Sequence, residues 1–178
     1  MYMKFHHSQP TMKVENRVDI FNRVRDIPFR ITGKNSMYCF KKCKLLKREL
    51  ENIGISSKIM IGNFKWTDLA LPANICKFIE KNSEGHAFLS VFIPEKNIWV
   101  NIDPTWDSAL RNVFQISVWD GINETILMTK LSRIREYKKA GFFKRLFIKF
   151  KRKFVEEKNY AFFVQLDNWL DEIRGHIC

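Results

Sequence analysis

The sequence has no apolar run approaching the roughly 20 residues that a membrane-spanning helix requires. Its first residues, Met1 to His7, contain no hydrophobic stretch of the signal-peptide kind. A soluble, cytoplasmic protein is the expectation. The four cysteines, Cys39, Cys43, Cys76 and Cys178, lack the paired spacing of a disulfide framework, so free thiols are expected in a chain long enough to be held by its core. Cys39 and Cys43 with His86 do not make a zinc site, because no second compact ligand pair accompanies them, and neither metal nor cofactor is expected. There is no internal repeat, no low-complexity linker and no nucleic-acid-binding motif, which disfavours nucleic acid as a partner.

What the chain does have is core-forming material and positive charge. Hydrophobic residues make up 46% and include sixteen phenylalanines, and the net charge is +12. Twelve Lys or Arg against three glutamates fall between Lys130 and Lys158, so most of the excess sits in that stretch. Phe143, Leu146, Phe147, Phe150 and Phe154 recur there at helical spacing, predicting an amphipathic helix over 141–155 with a cationic back. Such a helix suits a solvated face packed on the core, or contact with an anionic membrane or an acidic partner through residues 130–158.

Along the rest of the chain, Val14, Val18, Phe21 and Val24 predict a first helix that ends before Pro28. A second helix is predicted from about Met37 to Asn52, with Asn35 and Ser36 as capping candidates. Cys39, Cys43, Leu46, Leu50 and Ile53 form its buried stripe, and Gly54 is placed to cap its C-terminus. Ser56 to Gly62 reads as a strand with Ile59 and Ile61 on one face. Val113 to Trp119 reads as a further strand, Asp120-Gly121 as a turn, and the chain beyond as helical. Phe162, Phe163, Leu166, Trp169, Leu170 and Ile173 mark a last helix.

Two strands, Ala87–Ile93 and Ile98–Ile102, flank the turn Pro94-Glu95-Lys96-Asn97. Pairing Ile93 with Ile98 sets Phe88 opposite Asp103. His86 then shares a face with Asp103 and lies diagonal to it. A histidine oriented by a carboxylate is half of a catalytic triad. A thiol near the start of a helix, where unsatisfied amides and the macrodipole favour the thiolate, is a candidate nucleophile. Cys39 meets that description, although a free cysteine also packs as a small apolar residue.

Taken together, Cys39 at a helix start, Gly54-Ile55 fifteen positions later, Gly85-His86-Ala87-Phe88, Trp99 and Asp103-Pro104-Thr105 resemble the transglutaminase-like superfamily of papain-like thiol enzymes. The resemblance spans about residues 14–107. It implies an α+β fold in which a nucleophile helix packs on an antiparallel sheet; the charge and helical spacing beyond it divide the chain into a core over 1–120 and a basic helical extension over 121–178 packed on that core. It also implies a catalytic triad of Cys39, His86 and Asp103 acting on a protein or peptide amide, by hydrolysis or transamidation. The oxyanion would be met by the Cys39 backbone N–H, with Asn35 or Trp66 as a further donor. Met37, where the family often has glycine, and Cys43, where it often has a small residue, depart from its pattern. The alternative is a catalytically silent transglutaminase-like binding module that uses its basic C-terminal helices.

Overall fold

The computed structural model describes residues 10–138 and 158–175. The helix expected over 141–155, most of the basic stretch, and Cys178 lie outside the described residues. The fold is α+β. Its elements in order are α1 (Pro10–Arg25), α2 (Cys39–Asn52), β1 (Ser57–Lys65), the short α3 (Ala73–Cys76), β2 (Ser83–Ile93), β3 (Ile98–Ile102), β4 (Ser132–Glu136) and α4 (Tyr160–Gly175). The strands form one antiparallel sheet in the order β3-β2-β1-β4. No helix among the described residues is long and apolar enough to cross a membrane.

The hairpin keeps the register that its turn chemistry predicts. Ile93 pairs with Ile98 and Leu89 with Ile102, and Asn97 takes the left-handed conformation (φ 52°) that closes the turn. Alternation along β2 then divides its side chains. Ala87, Leu89, Val91 and Ile93 pack with Cys43, Leu46 and Leu50 of α2 and with Ile20, Phe21 and Val24 of α1. His86 and Phe88 project to the other face, beside Gly62 and Phe64 of β1.

The end of α2 explains the Gly54-Ile55 pair in physical terms. Gly54 has φ +78°, its N–H donates to the Glu51 carbonyl (3.0 Å), and the Ile55 N–H donates to the Leu50 carbonyl (2.9 Å). This is the doubly bonded helix stop that a left-handed glycine permits, sealed by apolar contact between Ile55 and the last turn. The helix start differs from expectation. Met37 is engaged in a bridge with Arg30, so it cannot begin the helix. Tyr38 stands at the N-cap without a side-chain cap, and Cys39 is the first helical residue. Neither Asn35 nor Ser36 is the cap.

Two further expectations are corrected. Val113 to Trp119 forms no strand; Val113 and Phe114 instead continue turns from Leu110, with Phe114 stacked on Trp106 at 4.2 Å. Residues 132–136, read as part of a helical extension, form the edge strand β4 on β1. Gly62 makes that approach possible. A Cβ there would lie 2.8 Å from Leu131 Cβ and 3.2 Å from Ile134 Cγ1.

α4 is bound to the core by polar anchors as well as by apolar burial. Phe162, Phe163, Leu166 and Leu170 share a second apolar cluster with Phe29, Trp66, Trp106 and Phe114. The buried Asp167 carboxylate accepts the Ile31 and Thr32 N–H groups. Arg174 donates to the buried Asp107, which also accepts the Phe29 N–H. These contacts set the loop that leads into α2.

Candidate active site

Three elements converge on the histidine. β2 carries His86, the end of β3 delivers Asp103, and the first turn of α2 brings Cys39. β3 stops opposite Leu89, so the margin of β2 at Ala87 and His86 has no β3 partner. α2 reaches the sheet at this margin, where the Cys43 thiol donates to the Ala87 carbonyl (3.3 Å) and Lys42 reaches the Thr105 carbonyl (2.9 Å).

His86 is fully buried, and its Nε2 lies 2.7 Å from Asp103 Oδ2, itself 1% exposed. The carboxylate is held from every side. Its Oδ1 accepts the Thr105 N–H (3.1 Å) and hydroxyl (2.6 Å), and its Oδ2 also accepts the Met128 N–H (2.7 Å). The Asp103 N–H donates to the Thr125 hydroxyl (2.9 Å). Asp-Pro-Thr is thus a built turn in which the residue two positions on fastens the carboxylate. Burial would raise the Asp103 pKa, but the facing imidazolium and these donors outweigh it and hold the acid below its usual range.

The imidazole responds in the opposite sense. Burial disfavours its charged form, yet the Asp103 carboxylate, by charge and by hydrogen bond, and the Cys39 side chain together raise its pKa to about 10. With Nε2 given to Asp103, Nδ1 is the nitrogen left for the thiol. It has no hydrogen bond of regular geometry among the described residues. Cys39 approaches the imidazole without a hydrogen bond of regular geometry, more loosely than Asp103 does. Cys39 is half-buried, whereas Cys43 is fully buried and its thiol pKa is pushed well above the ordinary value, chiefly by burial. The two cysteines on one stripe thus differ in chemistry: Cys43 is held as a packing thiol.

Among the described residues neither expected auxiliary donor has a hydrogen bond to Cys39, His86 or Asp103. Asn35 is exposed in the turn before α2. Trp66 is buried against Phe64 and Phe162, with ring centroids at 4.9 Å in each case, and its indole N–H has no acceptor among the described residues. Phe64 also meets the His86 imidazole edge-on, with ring centroids at 6.3 Å. Two surface grooves, of about 460 and 450 Å³, are lined by Trp99, Lys58 and neighbours and by Phe64, Lys130, Arg133 and neighbours; neither is lined by Cys39, His86 or Asp103. Among the described residues no group of three His, Cys, Asp or Glu side chains could hold a metal ion.

Lys42 is the participant that the sequence reading passed over. It is fully buried one turn after Cys39, and its ammonium donates to the Arg25 (2.7 Å) and Thr105 (2.9 Å) carbonyls. Its spacing of three from Cys39 and four from Leu46 already placed it on the apolar stripe. Met128 and Thr125 were beyond sequence reasoning, since a backbone N–H and one hydroxyl in a loop carry no pattern.

No protein-family model, curated protein or solved structure matches this chain.

Proposed function

We propose that the protein performs thiol-dependent acyl transfer on a protein or peptide amide, on a core of the papain-like, transglutaminase-like type. The observation that carries the reading is the partition of one buried imidazole: Nε2 is bound to Asp103 at 2.7 Å, leaving Nδ1 for a cysteine that is the first residue of a helix. A carboxylate on Nε2 fixes the ring's tautomer and orientation and favours the imidazolium. The helix start favours the thiolate.

The chemistry follows from these roles. The Cys39 thiolate attacks the amide carbonyl carbon, forming a C–S bond and placing negative charge on oxygen. The N–H groups of the first helical turn, which have no intrahelical acceptors, are suited to receive that charge. His86 gives the Nδ1 proton to the departing amine as the C–N bond breaks, leaving a thioester. Water or a second amine then attacks the thioester, His86 takes its proton, and the C–S bond breaks to return the thiolate beside the imidazolium. Hydrolysis yields an acid, and transamidation yields a new amide.

The test is acid-quenched intact mass after mixing with peptide amides. A Cys39-bound acyl adduct supports the reading, and amide turnover that survives Cys39→Ala refutes it. The second reading, a catalytically silent module that meets anionic membrane or an acidic partner through residues 130–158, is motivated by the concentration of charge there. It predicts salt-sensitive attachment to phosphatidylserine vesicles by the Cys39→Ala protein, and absence of attachment at low salt sinks the lipid version.

A further inference from the structure

Burying a lysine is unfavourable, and the neighbours of Lys42 on the α2 stripe, Cys43 and Leu46, show that an apolar residue would suit the site. Its ammonium is not placed against a carboxylate but between two backbone carbonyls, Arg25 O at the end of α1 and Thr105 O beyond β3. Thr105 is the residue whose N–H and hydroxyl hold Asp103 Oδ1. A continuous chain of contacts therefore runs from the helix of Cys39, through Lys42 and Thr105, to Asp103 and His86.

We propose that Lys42 is a positioning residue that fixes the Asp103–His86 pair relative to Cys39 by gripping the Thr105 carbonyl from the nucleophile's own helix. Cys39 and Lys42 are three residues apart on one helix, so any shift of α2 moves both, and the carboxylate turn is tied to follow. The charged groups around the ammonium are Asp26 at the end of α1, Asp103 and Asp107 after β3, and Arg174 on α4. Burial, opposed by Asp107 and reinforced by Arg174, lowers the Lys42 pKa to about 7. Loss of that proton leaves two N–H donors, enough for both carbonyls, so the grip survives the titration.

The proposal rests on the thiol reading for its catalytic meaning, but its geometric part has its own readout: the downfield proton resonance of His86 Nε2–H bonded to Asp103. Lys42→Met should shift or abolish that resonance and slow Cys39 alkylation by iodoacetamide roughly tenfold, with a displaced pH midpoint. Asp103→Asn with Lys42→Met should be no slower than Asp103→Asn alone, because both act on one pair. Arg17→Met removes another fully buried cation, paired with Glu95 away from the site, and should lower the melting temperature while leaving resonance and pH midpoint in place. A cooperatively folded Lys42→Met protein with an unchanged resonance and profile would overturn the proposal, as would multiplicative losses in the double variant. If Lys42→Met does not melt cooperatively, Lys42→Leu, which also has no donor for either carbonyl, is read in the same way. If His86→Ala leaves Cys39 alkylation unchanged, the thiol reading fails separately, and the resonance still decides the role of Lys42.

Discussion

The Nε2 of His86 lies 2.7 Å from Oδ2 of Asp103, with His86 fully buried and Asp103 1% exposed, at the margin where β3 ends and β2 continues paired with β1 alone. Strand register puts the two residues on one face. The Thr105 and Met128 donors turn that proximity into a fixed orientation.

Removing the carboxylate should cost both stability and thiol chemistry. Asp103→Ala leaves His86 buried without its counter-charge and strands the donors of Thr105 and Met128, a change of about 3–5 kcal/mol for a broken buried pair. Urea unfolding should register it. Asp103→Asn keeps an acceptor but no charge, and should return the His86 pKa, followed by ring-proton shifts, towards its ordinary value.

The pH dependence of stability should expose two opposed groups. His86 has a folded pKa raised to about 10 from 6.5, so its contribution is fully present below 6.5 and is lost as pH rises towards 10. Lys42 is lowered to about 7 from 10.5, so its burial penalty is full below 7 and is relieved as pH rises towards 10.5. Each has a slope of about 1.4 kcal/mol per pH unit between their midpoints, with opposite sign. Unfolding free energy from pH 7 to 8.5 should therefore be nearly flat in the natural sequence, fall in Lys42→Met and rise in His86→Gln. On the acid side, the lowered Asp103 contributes stability above its unfolded pKa, and this is lost as pH falls through the folded one.

Gly62→Ala should detach β4. The new Cβ meets Leu131 Cβ at 2.8 Å, a backbone-proximal atom that cannot swing away. A loss of about 1–3 kcal/mol is expected, with amide exchange in β4 accelerated more than in β2 and β3.

Arg174→Ala should loosen α4 from the site side of the molecule. It removes the donors to the 3%-exposed carboxylate of Asp107 and to the Phe29 carbonyl. A loss of about 3 kcal/mol is expected by calorimetry, and Arg174→Lys should restore only part of it because a lysine cannot repeat the forked contact.

Much of this was legible where side-chain pattern and turn chemistry agree. The Ile93–Ile98 register followed from a four-residue turn between alternating strands, and Gly54 as the stop of α2 followed from the stripe ending at Ile53. Cys39 was readable as an early residue of α2 but not as its first, because the bridge between Arg30 and Met37 is a tertiary contact. β4 was misread because Ser132–Glu136 is exposed along its length and takes its conformation from the edge of β1. Lys42 was passed over because a lysine on a helix ordinarily reads as solvated. Its stripe position mattered more than its charge.

The measurement that bears most directly on the thiol reading is the pH profile of iodoacetamide alkylation at each cysteine, followed by peptide mass, in the natural sequence and in His86→Ala. The account predicts that Cys39 reacts faster than Cys43, Cys76 and Cys178 at neutral pH, and that His86→Ala removes the advantage and changes the shape of the Cys39 profile. A Cys39 that is inert in the folded protein, or one whose profile is the same with and without His86, would contradict it.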